Sequence, residues 1–186
     1  DQLSHDERYQ RADEFVEVTC KLWDSWDDGA LVLDPVAPLF ADPNHVHAIN
    51  HKGRWFDVQG PLNVSRPPQG RPVFIQAGAS DRGRDFAARW AEVIFVTHAS
   101  IESAQKYYRD IKERAAKAGR NPDEVKILPG FVPVVGETRG IAEQKRKLLD
   151  DLADPKAGLS TLAYHLDIDL SQFPQDQILP ELEAAL

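Results

Sequence analysis

Between residues 9 and 26, apolar side chains recur at steps of three and four, at Tyr9, Ala12, Phe15, Val16, Cys20, Trp23 and Trp26. That period sets them on one stripe of a helix. Ser4 and Glu7 in "SHDE" have the spacing at which a serine oxygen takes a first-turn N–H while the glutamate reaches back, so the helix is predicted to begin there. From residue 71 the pattern changes to short apolar runs separated by helical stripes. "PVFIQ" predicts a buried strand over residues 73–76, and residues 85–92 a short helix with Phe86, Ala87, Trp90 and Ala91 inward. "VIFV" predicts a second strand over 93–96. Ser100 is placed to cap a helix with Ile101, Ala104, Tyr108, Ile111 and Ala115 on one face, stopped by Gly119 and Asn121-Pro122. "VKILPGFVPVVG" supplies a third strand over 126–135, and Thr138 caps a further helix through Ile141, Leu148, Leu149 and Leu152.

This alternation of strand and helix implies an α/β protein, with the three strands parallel, adjacent and in chain order, joined by helical crossovers. Three strands cannot close an eight-stranded barrel, whose usual length is about 250 residues. The pattern therefore leaves two architectures open, a small open sheet or part of a barrel. Residues 27–70, rich in Pro, Gly, His and Asn, predict a loop or hairpin insertion in which "GRWFDVQG" forms a short strand or hairpin arm. A connection of that length inside a compact domain usually carries function, for example as a lid. Residues 154–186, rich in Asp, Gln and Pro, predict an irregular tail.

Composition narrows the partners. With 22 Lys+Arg against 30 Asp+Glu the net charge is −8, a field that repels polyanions, so no nucleic-acid partner is expected. A small phosphate remains compatible, because Arg82, Arg84 and Arg89 cluster locally. No run reaches the roughly 18 apolar residues of a membrane span and no secretory leader opens the chain, which favours the cytoplasm and no membrane partner. The single cysteine, Cys20, cannot form an internal disulfide and sits on the first helix stripe, with no base positioned to make it a nucleophile. At 186 residues the chain is long enough for one domain, and its start at Asp1 with no methionine anywhere predicts a fragment or a processed product.

The chemistry-bearing segment is "QAGASDRG". In parallel α/β structures ligands gather at the carboxyl ends of strands, and free N–H groups at a helix start attract anions. Gly78, Ala77 and Ala79 would let a ligand approach the backbone, and Ser80 could donate its hydroxyl. Equally, Ser80 or Asp81 could serve only as a helix cap and Gly78 only as a turn. Neither a dinucleotide-binding G-x-G-x-x-G nor a G-x-x-x-x-G-K-[ST] loop is present. His45, His47 and His51 in "NHVHAINH" lack a paired Cys or Glu at a recognised spacing, so they are expected to be solvent-facing loop residues rather than metal ligands. His98, just past "VIFV", occupies a strand's carboxyl end.

The segments "HDERYQRADEF", "KLWDSWDDGAL", "FADPNHVHAINHKGRWFDVQGPLNV", "PVFIQAGASDRGRDFAARWAEVIF", "KILPGFVPVVGET" and "IDLSQFPQDQILPEL" together resemble the flavin-dependent two-component monooxygenases of the nitrilotriacetate, dibenzothiophene-sulfone and long-chain-alkane type, within the bacterial-luciferase-like superfamily. The resemblance implies part of a (β/α)₈ barrel, with strands in about the fifth, sixth and seventh places. It implies reduced FMN as co-substrate from a separate flavin reductase, O2, a small organic substrate and a homo-oligomer. The FMN phosphate would be held by Tyr9 and by the loop of Gly78, Ala79, Ser80 and Asp81. His98 and His165 would lie toward the substrate, and no catalytic set is identified. Two readings stand beside this one, a luciferase-like enzyme using deazaflavin and a non-catalytic α/β binding or oligomerisation module.

Overall fold

A computed structural model of the chain describes residues 3–78, 80–166 and 170. The chain divides into two compact units, Asp1–Phe131 and Val132–Leu186. In the first, helix α1 (His5–Trp23) opens with the predicted capping box, in which Ser4 Oγ accepts from the Glu7 N–H and the Glu7 carboxylate accepts from the Ser4 N–H. Two antiparallel hairpins follow, β1 (Leu31–Asp34) with β2 (Leu39–Ala41), and β3 (His51–Lys52) with β4 (Asp57–Val58). "GRWFDVQG" therefore contributes one hairpin arm and no strand of the parallel sheet.

The parallel sheet comprises β5 (Ile75–Gln76), β6 (Val93–Thr97) and β7 (Lys126–Gly130) in that order. Between them run α2 (Asp81–Trp90) and α3 (Ile101–Lys117). The third strand is shorter than the predicted 126–135. Its ladder ends where Gly130 pairs with Thr97, the last residue of β6, and a strand persists only while it has a partner. α2 begins a turn earlier than its apolar stripe suggested, because Ser80 supplies the cap.

The core lies between one face of the sheet and the two helices. Ile94 and Val96 from β6 meet Ala87, Ala88 and Ala91 around α2, and Tyr107, Ile111 and Ala115 from α3. The buried stripe of α3 thus runs through Tyr107, whereas the expected Ile101 and Tyr108 are exposed. On the opposite face of the sheet, Ile75, Phe95 and Leu128 are exposed.

Residues 27–70 are fastened along α1. Near the N-terminal end of the helix, Arg54 donates to Glu7 and Gln10. At its middle, Glu14 accepts from the N–H groups of Trp55 and Phe56 and bonds His51 Nε2 at 3.1 Å. At its C-cap, Asp24 receives Arg66 and Arg71. His51 is buried, not solvent-facing as its loop setting suggested, and its Nδ1 lies 3.2 Å from Lys21 Nζ. An ammonium can only donate, so Nδ1 accepts and Nε2 carries the proton that reaches Glu14. His45 and His47 both bond one Asp27 carboxylate oxygen, at 3.1 and 2.9 Å.

In the second unit, α4 (Arg139–Asp151) starts at the predicted Thr138 cap. α5 (Pro155–Leu166) replaces part of the predicted irregular tail. The Asp154-Pro155 pair that suggested irregularity is a helix start, with Asp154 Oδ1 accepting the Lys156 N–H and Pro155 in the first turn. Among the described residues no helix is long and apolar enough to cross a membrane.

Two outcomes follow. Ile111 is wholly buried and Ile101 is 73% exposed on the same helix. Ile111→Ala should cost about 2–5 kcal/mol in denaturant unfolding, and Ile101→Ala no more than about 0.5 kcal/mol. Burial would raise the Glu14 pKa, but the hydrogen bonds from His51, Phe56 and Trp55 outweigh it and hold the carboxyl below its usual 4.5. A depressed carboxyl binds fewer protons folded than unfolded, so its stabilisation is complete above that value and is lost as pH falls below it. Protection of the Trp55 and Phe56 amides against exchange, corrected for intrinsic rate, should fall in that acidic window, and Glu14→Gln should remove the dependence.

Candidate anion site at the start of α2

β5 delivers the chain to Gly78 at the carboxyl end of the sheet, and α2 begins two residues beyond the intervening Ala79. Ser80 Oγ accepts the Gly83 N–H at 3.1 Å, which makes Ser80 the N-cap. A hydroxyl that accepts at one lone pair still has its proton to donate, so capping and anion binding are compatible. Tyr9, from the second turn of α1, reaches the same place. A methyl built on Gly83 would stand 2.7 Å from the Tyr9 hydroxyl and 2.9 Å from Ser80 Oγ, and one built on Gly78 would stand 3.3 Å from the Tyr9 hydroxyl. The missing side chains at Gly78 and Gly83 therefore let two hydroxyls come together at a helix N-terminus, where the helix dipole presents roughly half a positive charge.

Asp81 turns away from it. Its carboxylate is 75% exposed and is held by Arg114 at 2.6 Å and by Arg84 at 3.2 Å. Arg114 also binds Asp85 and Asp110. Burial lowers the Arg114 pKa, but these three carboxylates outweigh it and raise it, so the guanidinium is a fixed cation of the α2–α3 contact. The local arginine cluster is likewise committed. Arg82 pairs with Asp13 and lies over the Tyr9 ring at 5.5 Å, Arg84 binds Asp110 at 2.7 Å, and Arg89 lies 3.9 Å from Asp13. An anion here would meet hydroxyls, amides and a helix terminus rather than a guanidinium fork.

The Gly78 N–H is also engaged, donating to Gln76 Oε1 at 2.7 Å, while the Gly78 carbonyl lies 3.5 Å from the Tyr107 hydroxyl. Ala79 and the His165 side chain lie outside the described residues. His98 follows β6; its Nδ1 bonds Ser103 Oγ at 3.0 Å and its ring packs on Tyr107 at 5.1 Å. Its Nε2 is buried with no hydrogen-bond partner among the described residues. His98 lines two cavities, one of about 210 Å³ with Ala77, Phe95, Val96, Thr97 and Tyr107, and one of about 620 Å³ with Ile101, Tyr108, Pro129 and Phe131 among others. Cys20 is buried, and desolvation pushes its thiol pKa up, which opposes a nucleophilic role.

Sequence reasoning missed Gly83, Gln76 and Tyr107. Gly83 did carry a signal, since a glycine in the first turn of a helix weakens it unless something packs there. Gln76 and Tyr107 carried none, because the one ends an apolar run and the other adjoins Tyr108.

Ser80→Ala should destabilise the fold by about 1 kcal/mol through loss of the cap, and Ser80→Gly by only a few tenths, in thermal unfolding. Gly83→Ala should displace the Tyr9 and Ser80 hydroxyls, which a crystal structure of the variant would show directly.

The luciferase-like monooxygenase family profile matches residues 2–177. Dibenzothiophene-sulfone monooxygenase of Rhodococcus erythropolis is 48% identical over 180 residues, 97% of this chain and 40% of that protein. N-acetyl-S-(2-succino)cysteine monooxygenase of Bacillus subtilis is 49% identical over 183 residues, 98% of this chain and 42% of that protein. Among solved structures, a long-chain alkane monooxygenase superposes with a TM-score of 0.87 at 38% identity, covering 98% of this chain and 42% of that one. A riboflavin lyase solved with modified FMN and riboflavin gives 0.84 at 37% identity, over 94% of this chain and 39% of that one. The chain thus spans about two fifths of the length of the relatives it matches, and it belongs to the luciferase-like monooxygenase family.

Proposed function

We propose that the full-length polypeptide is an FMN-dependent monooxygenase that oxidises a small organic substrate with O2, using reduced flavin from a separate reductase. The observation that carries this reading is the meeting of the Tyr9 and Ser80 hydroxyls at the start of α2, an approach that the missing side chains of Gly78 and Gly83 permit. That cradle suits a phosphate monoester. It is small, it lies at a helix N-terminus, and its donors come from two separate helices. The outward turn of Asp81 removes the one carboxylate that would repel such a group. The family relationship favours FMN as the molecule bearing the phosphate, and the relative named nitrilotriacetate monooxygenase component A favours a partner component.

When bound, reduced flavin supplies the electrons and the oxygen-activating ring, while the chain binds and orients. Tyr9 and Ser80 would hold the phosphate by donating hydrogen bonds from their hydroxyls. Asp81 caps outward, and Gly78 contributes room rather than an N–H. His98 and His165 belong to the substrate side. The His98 Nε2, buried and without a hydrogen-bond partner among the described residues, supports that role for His98, since such an atom in a cavity wall awaits a polar group. The enzyme is proposed to be a homo-oligomer, with its sheet strands in about the fifth to seventh places of a (β/α)₈ barrel.

FMN titration of the full-length polypeptide tests the site, with riboflavin as the ligand lacking phosphate. A charge-assisted hydrogen bond is worth about 1.5–3 kcal/mol, so Ser80→Ala should weaken FMN by roughly 10- to 150-fold and leave riboflavin unchanged. Tyr9→Phe should act in the same direction. Variants that bind FMN like the parent, or riboflavin bound as tightly as FMN, would reduce Ser80 to a helix cap.

A further inference from the structure

We infer that Gln76 is a further phosphate-binding residue of this site, donating through its side-chain Nε2; the inference rests on the reading above. Gln76 is the last residue of β5, and its Oε1 accepts the Gly78 N–H at 2.7 Å. That bond settles which way the amide faces. A backbone N–H needs an acceptor, so Oε1 must be the end that meets Gly78, and the two protons of Nε2 must lie at the other end. Nε2 has no hydrogen-bond partner among the described residues, although Gln76 is only partly exposed.

Its position gives those protons a purpose. A methyl built on Gly78 would collide with Gln76 Nε2 and would stand 3.3 Å from the Tyr9 hydroxyl. The amide nitrogen therefore packs over the Gly78 Cα, with the phenol beside it. The absence of a side chain at residue 78 is what lets the amide lie there. A chain of polarisation then runs from the Gly78 N–H through the Gln76 carbonyl to its NH2 group, and hydrogen bonds in series strengthen one another. The Gly78 amide acts on the anion through Gln76 rather than directly. Because Tyr9, Ser80 and Gln76 are all neutral, the site can hold a phosphate without using any of the arginines already paired with Asp13, Asp81 and Asp110.

Two substitutions in the full-length polypeptide separate donation from loop support. Gln76→Glu keeps an oxygen for the Gly78 N–H but replaces the donor with an acceptor, and Gln76→Leu removes the donor without adding charge. Both should weaken FMN by about 10- to 100-fold while riboflavin binds within twofold of the parent, which also reports an intact fold. Three outcomes would overturn the assignment: FMN binding unchanged in Gln76→Glu, FMN and riboflavin weakened equally, or Gln76→Leu keeping the parent's ratio of FMN to riboflavin affinity. Ser80→Ala in the same titration keeps the two readings apart. Loss of FMN there with none at Gln76 would sink only this inference, whereas no loss at Ser80 together with no preference for FMN over riboflavin would sink the site itself.

Discussion

The close approach of α2 to the central strand is the constraint on which the candidate site depends. Ala87, Ala88 and Ala91 are almost wholly buried in one cluster with Ile94, Val96 and Ile111. Their small side chains let the helix backbone come close to the sheet, and dense packing then leaves it one position. With the C-terminal half of α2 fixed in this way, its first turn must begin directly beyond β5, with Ser80 as its cap. The site is set by packing several residues away from any group that would touch a ligand.

Electrostatics follow from that placement. The chain is acidic overall, and the arginines around α2 are already held by Asp13, Asp81, Asp85 and Asp110. Partly buried guanidinium–carboxylate pairs of this kind join α2 to α1 and α3 and orient the helix. What remains for an anion is a set of neutral donors and the helix terminus. An anion bound at this candidate site would be held by geometry more than by net charge.

The excursion between α1 and the parallel sheet has a physical anchor of its own. Glu14 gathers two backbone N–H groups and the proton of a buried histidine, and Lys21 holds that histidine's other nitrogen. A segment with only two short hairpins has little ladder to stabilise it, and the carboxylate supplies the partners that the turn at 53–56 lacks. The same helix that anchors this excursion presents Tyr9 to the start of α2, so α1 joins the two regions.

Much of this was legible in local pattern. The capping box at Ser4, the caps at Ser100 and Thr138 and the parallel order of β5, β6 and β7 each depend on neighbours in sequence or on the handedness of crossovers. The loop at Gly78 and Ser80 was visible as a strand end meeting a helix start, and Tyr9 entered through family likeness. Other features were decided by contacts between residues far apart. His51 looked like a loop histidine until Glu14, 37 residues away, buried it. Tyr107, not Tyr108, faces the core because the rotation of α3 about its axis is set by what the sheet offers, and a stripe one residue wide of that is equally periodic. The arginines beside the loop are paired because Asp13 and Asp110 approach from other helices. Periodicity and caps are properties of a few consecutive residues, and the sequence alone determines them. Which donors are left free to meet a ligand depends on every charge and carbonyl that packing brings near, and only the tertiary structure decides that.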